Sequence, residues 1–80
     1  MPHTILRLPA VKAATGLSRS TLYLRIVPGV FTHPVSLGGR AVGWPANEVA
    51  ALNAARIAGK PDAEIRALVA QLETARKAVA

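Results

Sequence analysis

The chain contains no cysteine, only four acidic residues, and just three aromatic side chains, Tyr23, Phe31 and Trp44. Without cysteine, neither a disulfide framework nor a thiolate zinc site can hold it together. Its 80 residues must therefore rely on a hydrophobic core that is thin at this size. All four acids lie beyond residue 47, Asp62 is the only Asp, and the two histidines, His3 and His33, stand thirty residues apart. Such an inventory is too poor for a Ser-His-Asp arrangement, a paired-carboxylate site or a metal centre. Both histidines read as solvated loop residues, and neither an enzyme nor a bound cofactor or metal is expected. No apolar run approaches the ~18 residues of a membrane span. The opening Met1-Pro2-His3-Thr4 lacks the basic end and apolar stretch of a secretion signal. These absences lead to the expectation of a soluble, cytoplasmic protein without membrane partners.

What is present is alanine, sixteen residues of it, within a 51% hydrophobic composition that describes a helix-rich protein. The net charge is +6, so a polyanion is the first partner to consider. The distribution of charge says more than the total. Residues 1–45 carry Arg7, Lys12, Arg19, Arg25 and Arg40 and no acid, whereas residues 46–80 set five bases against all four acids. An anion-facing surface is therefore expected in the N-terminal half, with structural or pairing work in the other.

Turn signals at Gly16, Pro28-Gly29, Gly38-Gly39 and Gly59-Lys60-Pro61 divide the chain. After a short extended stretch at 5–8, Pro9 opens a first helix to Thr15 with Val11 and Ala14 on one face, and Gly16 ends it. Two residues later Ser18 can cap a second helix, accepting an amide hydrogen from Ser20 or Thr21. That helix runs to about Val27, with Leu22 and Ile26 as its buried stripe. Two short helices joined by a tight glycine-containing turn fit a helix-turn-helix.

Between Phe31 and Trp44 the pattern alternates and reads as a hairpin. A two-residue Gly38-Gly39 loop would pair Leu37 with Arg40 and Val35 with Val42, packing Leu37, Val42 and Trp44 below a tip that carries Arg40. This is the geometry of a wing. A third helix follows from Pro45 to about Ala58 with Val49, Leu52 and Ile57 as its larger apolar residues. A fourth runs from about Pro61 to Val79, with Asp62 and Glu64 in its first turn and Arg76 and Lys77 in its last. Its residues Ile65, Leu68, Leu72, Ala75 and Val79 step by three and four. Such a stripe serves either packing on its own domain or dimerisation.

At ~100° per residue, Arg19, Ser20 and Tyr23 fall opposite or beside the Leu22/Ile26 stripe. Early positions of the second helix in this motif reach base edges. Arg19 can pair with guanine O6 and N7, Ser20 can hydrogen-bond a base or phosphate, and Tyr23 can donate to a phosphate. The alternative for these three is an ordinary polar face with a capping Ser18. Thr21 is expected to brace the helix. Arg25 is a candidate for a flanking phosphate, Lys12 for the backbone beneath the first helix, and Arg40 for a phosphate or the minor groove. For Lys12 and Arg40 the alternative is a solvated charge. Leu37-Gly38-Gly39-Arg40 lacks the strand-to-helix transition and the Gly-Lys-Ser/Thr of a phosphate loop. Phe31 and Trp44 are too few for a base-stacking platform and read as core.

The runs Leu6-Arg7-Leu8-Pro9-Ala10-Val11, Thr15-Gly16-Leu17-Ser18-Arg19-Ser20-Thr21-Leu22-Tyr23 and Pro34-Val35-Ser36-Leu37-Gly38-Gly39-Arg40-Ala41-Val42-Gly43-Trp44 resemble the AlpA family of phage and prophage transcriptional regulators. The resemblance covers about residues 5–57. It implies a small winged helix-turn-helix related to MerR-like and excisionase DNA-binding domains, and a site-specific regulator of prophage or integrated-element genes. Three places depart from the family pattern: Leu24 follows Tyr23 where many relatives are basic, Phe31-Thr32-His33-Pro34 precedes the wing, and Leu52 replaces a common aromatic.

The expected architecture is mainly α with a small β-hairpin wing. Residues 1–58 would form the winged helix-turn-helix, and 59–80 a C-terminal helix for packing or dimerisation. The expected partner is double-stranded DNA, with a homodimer or cooperative array formed through the last helix as an open alternative. An excisionase-like DNA-bending factor and a protein-interaction module are the rival functions.

Overall fold

The structure, a computed structural model, describes residues 4–78. In chain order the elements are β1 (Ile5–Leu6), α1 (Leu8–Thr15), α2 (Arg19–Ile26), β2 (Val35–Gly38), β3 (Ala41–Pro45), α3 (Ala46–Ile57) and α4 (Asp62–Ala75), followed by a 3₁₀ turn over Arg76–Ala78. This is a mainly helical fold with a small antiparallel sheet. Alanine and leucine supply the helical propensity, and the glycines separate the elements.

α1 begins one residue earlier than Pro9 would suggest, and it ends where expected. Gly16 adopts φ 73°, and its N–H donates to the Lys12 carbonyl. A left-handed residue with no Cβ closes the helix there without strain. Three residues then separate α1 from α2. Ser18 accepts the Thr21 N–H at 3.2 Å, and its hydroxyl donates to Thr21 Oγ1 at 3.0 Å. The cap and its brace thus fall on the expected residues.

The sheet has three strands in the order β1-β3-β2, all antiparallel. The extended stretch before α1 pairs with β3, Ile5 opposite Pro45 and Leu6 opposite Trp44, so the hairpin is anchored to the helical body by a strand far away in sequence. The hairpin register differs from the expected one. Val35 lies opposite Gly43, Ser36 opposite Val42 and Gly38 opposite Ala41, with an irregularity between Ser36 and Gly38. The turn is therefore Gly39-Arg40 rather than Gly38-Gly39. The extra residue in β2 is what a bulge inserts, and the positive φ of Gly38 (105°) and Gly39 (55°) lets the chain take it up. One consequence is that Leu37 does not pack under the tip; it is 43% exposed.

A single core joins Val11, Leu22, Ile26, Val30, Phe31, Trp44, Val49, Leu52, Ile65 and Val69. Trp44 is completely buried at its centre. Its indole N–H donates to the Thr32 carbonyl at 3.0 Å, and the Phe31 ring meets it edge-on. Both aromatics are core, as expected. Ile57 is not: at 88% exposed it lies on the outer side at the end of α3, while Val49 and Leu52 face inward. On α4 the buried residues are Ile65 and Val69, with Leu68 and Leu72 half-buried against the core and Ala75 exposed. Packing on the chain's own core thus uses a stripe shifted by one residue at Val69, because 3.6 residues per turn draws a wider face than strict three-four steps mark. Val79 lies outside the described residues. Arg76 and Lys77 fall in the 3₁₀ turn after α4 rather than in its last turn.

Candidate nucleic-acid interface

The inner side of α2 is fixed by Leu22 and Ile26, its start by the Ser18 cap, and its end by a turn in which the Val30 and Gly29 amides donate to the Arg25 and Ile26 carbonyls. With one side clamped, Ser20 and Leu24 on the opposite side turn outward, and Arg19 stands open in the first turn. Arg19 and Ser20 are exposed and Tyr23 is half-buried. α4 does not cover them.

Tyr23 links surface to core. Its ring meets Trp44 edge-on with centroids 6.2 Å apart, and the Arg19 guanidinium carbon stands 5.2 Å from the Tyr23 centroid. A cation over an aromatic face gains about 0.5–1 kcal/mol at an exposed site. The stack also restricts a long side chain that would otherwise sample many rotamers before meeting a ligand. Arg19 and Tyr23 are therefore one unit. Arg25 is half-buried at the far end of the same helix, Lys12 is exposed on α1, and Arg40 stands exposed in the hairpin turn.

The charges are organised by what the acids do. Glu48 pairs with Arg76, Glu73 with His33, and Asp62 with Arg56. Among the described residues, none of Arg7, Lys12, Arg19, Arg25 and Arg40 has an acidic partner. Three of the four acids are thus engaged by residues outside the first two helices and the hairpin turn. The positive potential of the N-terminal half is left uncancelled, which favours a polyanion at this surface.

Two features that position this surface have no signal in the sequence. Asn53 on α3 donates through Nδ2 to the Ala14 carbonyl at 2.9 Å, satisfying an orphan acceptor at the end of α1 and tying α3 to the helix-turn-helix turn. The second is a brace built by α4 and the turn after it. Arg66 donates to the Pro28 carbonyl at 2.8 Å, just behind α2. Arg76 forms a two-pronged pair with Glu48, which is only 2% exposed, and also donates to the His33 carbonyl at 2.7 Å. Glu73 Oε2 accepts the His33 N–H at 2.8 Å and meets its ring Nδ1 at 2.9 Å. His33 is thus an exposed loop residue, as expected, but one tied to Glu73 and Arg76, while His3 lies outside the described residues. The brace grips the segments leaving α2 and entering β2, leaving the outer face of α2 free.

Burial pushes the Glu73 carboxyl upward, but the His33 amide, the His33 ring and Arg76 together outweigh it and hold the group below its ordinary value. Hydrogen bonding to Glu48 likewise holds Arg76 firmly protonated despite its partial burial. No cluster of three potential metal ligands occurs among the described residues, and no helix there is long and apolar enough to cross a membrane.

No solved structure matches the chain. A protein of Enterobacteria phage P4 described as uncharacterized protein ORF88 is 53% identical over 55 residues, which are 69% of this chain and 62% of that relative. The family model described as prophage CP4-57 regulatory protein (AlpA) matches residues 4–56, from β1 almost to the end of α3. The whole helix-turn-helix, the hairpin and all but the last residue of α3 lie inside that match, and the chain belongs to the AlpA family of prophage regulatory proteins.

Proposed function

We propose that the chain is a sequence-specific double-stranded DNA-binding regulator of transcription for a prophage or integrated element, with α2 in the major groove and the β2–β3 hairpin, a wing, astride the adjoining backbone. The observation that supports this reading best is the outer face of α2. It is a capped, core-clamped helix whose Arg19 and Ser20 are exposed and whose Tyr23 is half-buried beneath Arg19, beside cations without acidic partners. Arg19, held on Tyr23, reads guanine O6 and N7; Ser20 bonds a base edge or phosphate; Tyr23 donates to a phosphate. Arg40 contacts the backbone or minor groove from the wing tip, and Arg25 and Lys12 engage flanking phosphates. α4 works from behind as a brace.

Selection of bound sequences from a random duplex pool, followed by titration at several salt concentrations, tests this. A single consensus should emerge, with log affinity falling by ~0.9 per phosphate neutralised for each unit of log salt. Arg19→Ala should cost ~1–3 kcal/mol on the selected site and relax one base preference, while Arg40→Ala should weaken selected and random duplex alike. Equal losses on both duplexes for Arg19→Ala would remove it from base reading. Salt-independent or undetectable binding would favour a protein-interaction module. A phased array of sites with DNA bending would favour an excisionase-like factor, and half-sites ~10 bp apart a two-fold dimer.

A further inference from the structure

Leu24 is 70% exposed on α2. It lies two residues from both Leu22 and Ile26, the buried pair of that helix, and so about 160° around the axis from each. No residue of α2 points more directly away from the core. Ser20 stands one turn before it and Val27, 86% exposed just past the helix, three residues after it, so the three share one face. The centre of this outward face is therefore aliphatic. Half-buried Arg25 lies about 100° around the axis from Leu24, and α2 contains no acid.

An apolar spot on an acid-free helix, in the part of the chain whose cations have no acidic partner among the described residues, needs a partner that is anionic in bulk yet offers small apolar groups at the depth a helix reaches. The major groove of DNA is such a surface, and its apolar group is the 5-methyl of thymine. A second protein copy fits less well. Leu24 and Val27 together offer far less than the ~800 Å² per partner of a stable protein interface. We propose that Leu24 is a specificity-determining residue that packs against a thymine 5-methyl group, one helical turn deeper along α2 than the contact made by Ser20. This rests on the DNA-reading role of α2 given above and adds a base preference to it: thymine over cytosine at one position, selected by burial of a methyl group rather than by a hydrogen bond.

The test uses the full chain and the duplex recovered by random-pool selection, with each dT replaced in turn by dU. That exchange deletes the methyl group and leaves every hydrogen-bonding edge intact. Wild-type protein should lose about fourfold in affinity at one or two dT positions, the value of one buried methyl-sized group. Leu24→Ala, at a site too exposed to disturb the core, should bind dT and dU duplexes equally at those positions. Ile57→Ala, which removes an even more exposed aliphatic side chain from α3, should keep the wild-type discrimination. The proposal is overturned if no dU duplex binds more weakly than its parent, or if Leu24→Ala discriminates as wild type does. It is also overturned if sedimentation shows that Leu24→Ala splits a dimer while the dU pattern stays unchanged, since that would make the apolar face a contact between copies. A selection that enriches no sequence would sink the DNA-reading role of α2 and this inference with it; a clear consensus with neutral dU substitutions would sink the Leu24 role alone.

Discussion

Replacing Arg76 with Met should be among the most damaging single changes outside the hydrophobic core, and the asymmetry of the Glu48–Arg76 pair sets the magnitude. Glu48 is buried to 2% exposure, whereas the Arg76 side chain keeps 26%. Arg76→Met therefore strands a carboxylate in the interior with neither partner nor water, a loss of about 3–5 kcal/mol. At ~0.05–0.15 kcal/mol per residue, a domain of this length has only about 4–12 kcal/mol in total. Glu48→Leu leaves instead a guanidinium that still reaches water and the His33 carbonyl, and should cost only about 1–3 kcal/mol. In the double variant Glu48→Leu/Arg76→Met neither charge remains to be desolvated, and stability should return to within about 1 kcal/mol of wild type. Trp44, the sole and fully buried tryptophan, makes its own fluorescence the probe for urea unfolding. At a slope of ~1 kcal/mol/M, Arg76→Met should lower the midpoint by about 3 M or more. A loss below about 1 kcal/mol for Arg76→Met, or equal losses for the two single variants, would refute the reasoning. The pair would then be behaving as a solvated surface contact.

Ser18→Ala removes the cap of α2 and should cost about 1 kcal/mol by the same unfolding assay, with a further loss of DNA affinity if the cap also holds Arg19 in place. Gly43 sits under β1, where an added Cβ would press on Ile5 Cγ2 and lie 3.0 Å from the Leu6 carbonyl oxygen. Gly43→Ala should accordingly cost about 1–3 kcal/mol and change the near-ultraviolet signal of Trp44, the neighbour in β3. Glu73 has a carboxyl held below its ordinary value in the folded state, so its contribution is fully present above the unfolded value and is lost as pH falls through the folded one. Urea midpoints should decline between about pH 5 and pH 3, and Glu73→Gln should make that decline shallower; an unchanged acid limb would contradict this assignment.

Much of the candidate interface was legible because it is local. A helix that starts at a serine, buries positions four apart and stops at Pro28-Gly29 turns the opposite positions to solvent, and Ser20 is exposed for that reason, while Arg19 is exposed in the first turn. The hairpin was legible as a pattern but not in register. A single extra residue at Leu37 moves the turn from Gly38-Gly39 to Gly39-Arg40, and an alternating pattern of four or five residues holds too little information to locate such a bulge. The inward face of α4 was shifted at Val69 for a related reason: alanine-rich helices offer several nearly equivalent stripes, and the shape of the receiving surface picks one.

By itself the sequence determined the number and type of the helices, the cap and stop of α2, the burial of Phe31 and Trp44, and the concentration of unopposed positive charge in the first 45 residues. Each of these follows from residue propensity, spacing and composition within a few turns of chain. Only the tertiary structure decided that Tyr23 joins Arg19 to Trp44, that Ile5 and Leu6 close the sheet against β3, and that Arg66, Glu73 and Arg76 grip the backbone near Pro28 and His33. Those contacts span up to 43 positions. Long side chains can reach many alternative partners over such separations, so the packed core, by fixing where each helix lies, selects among them.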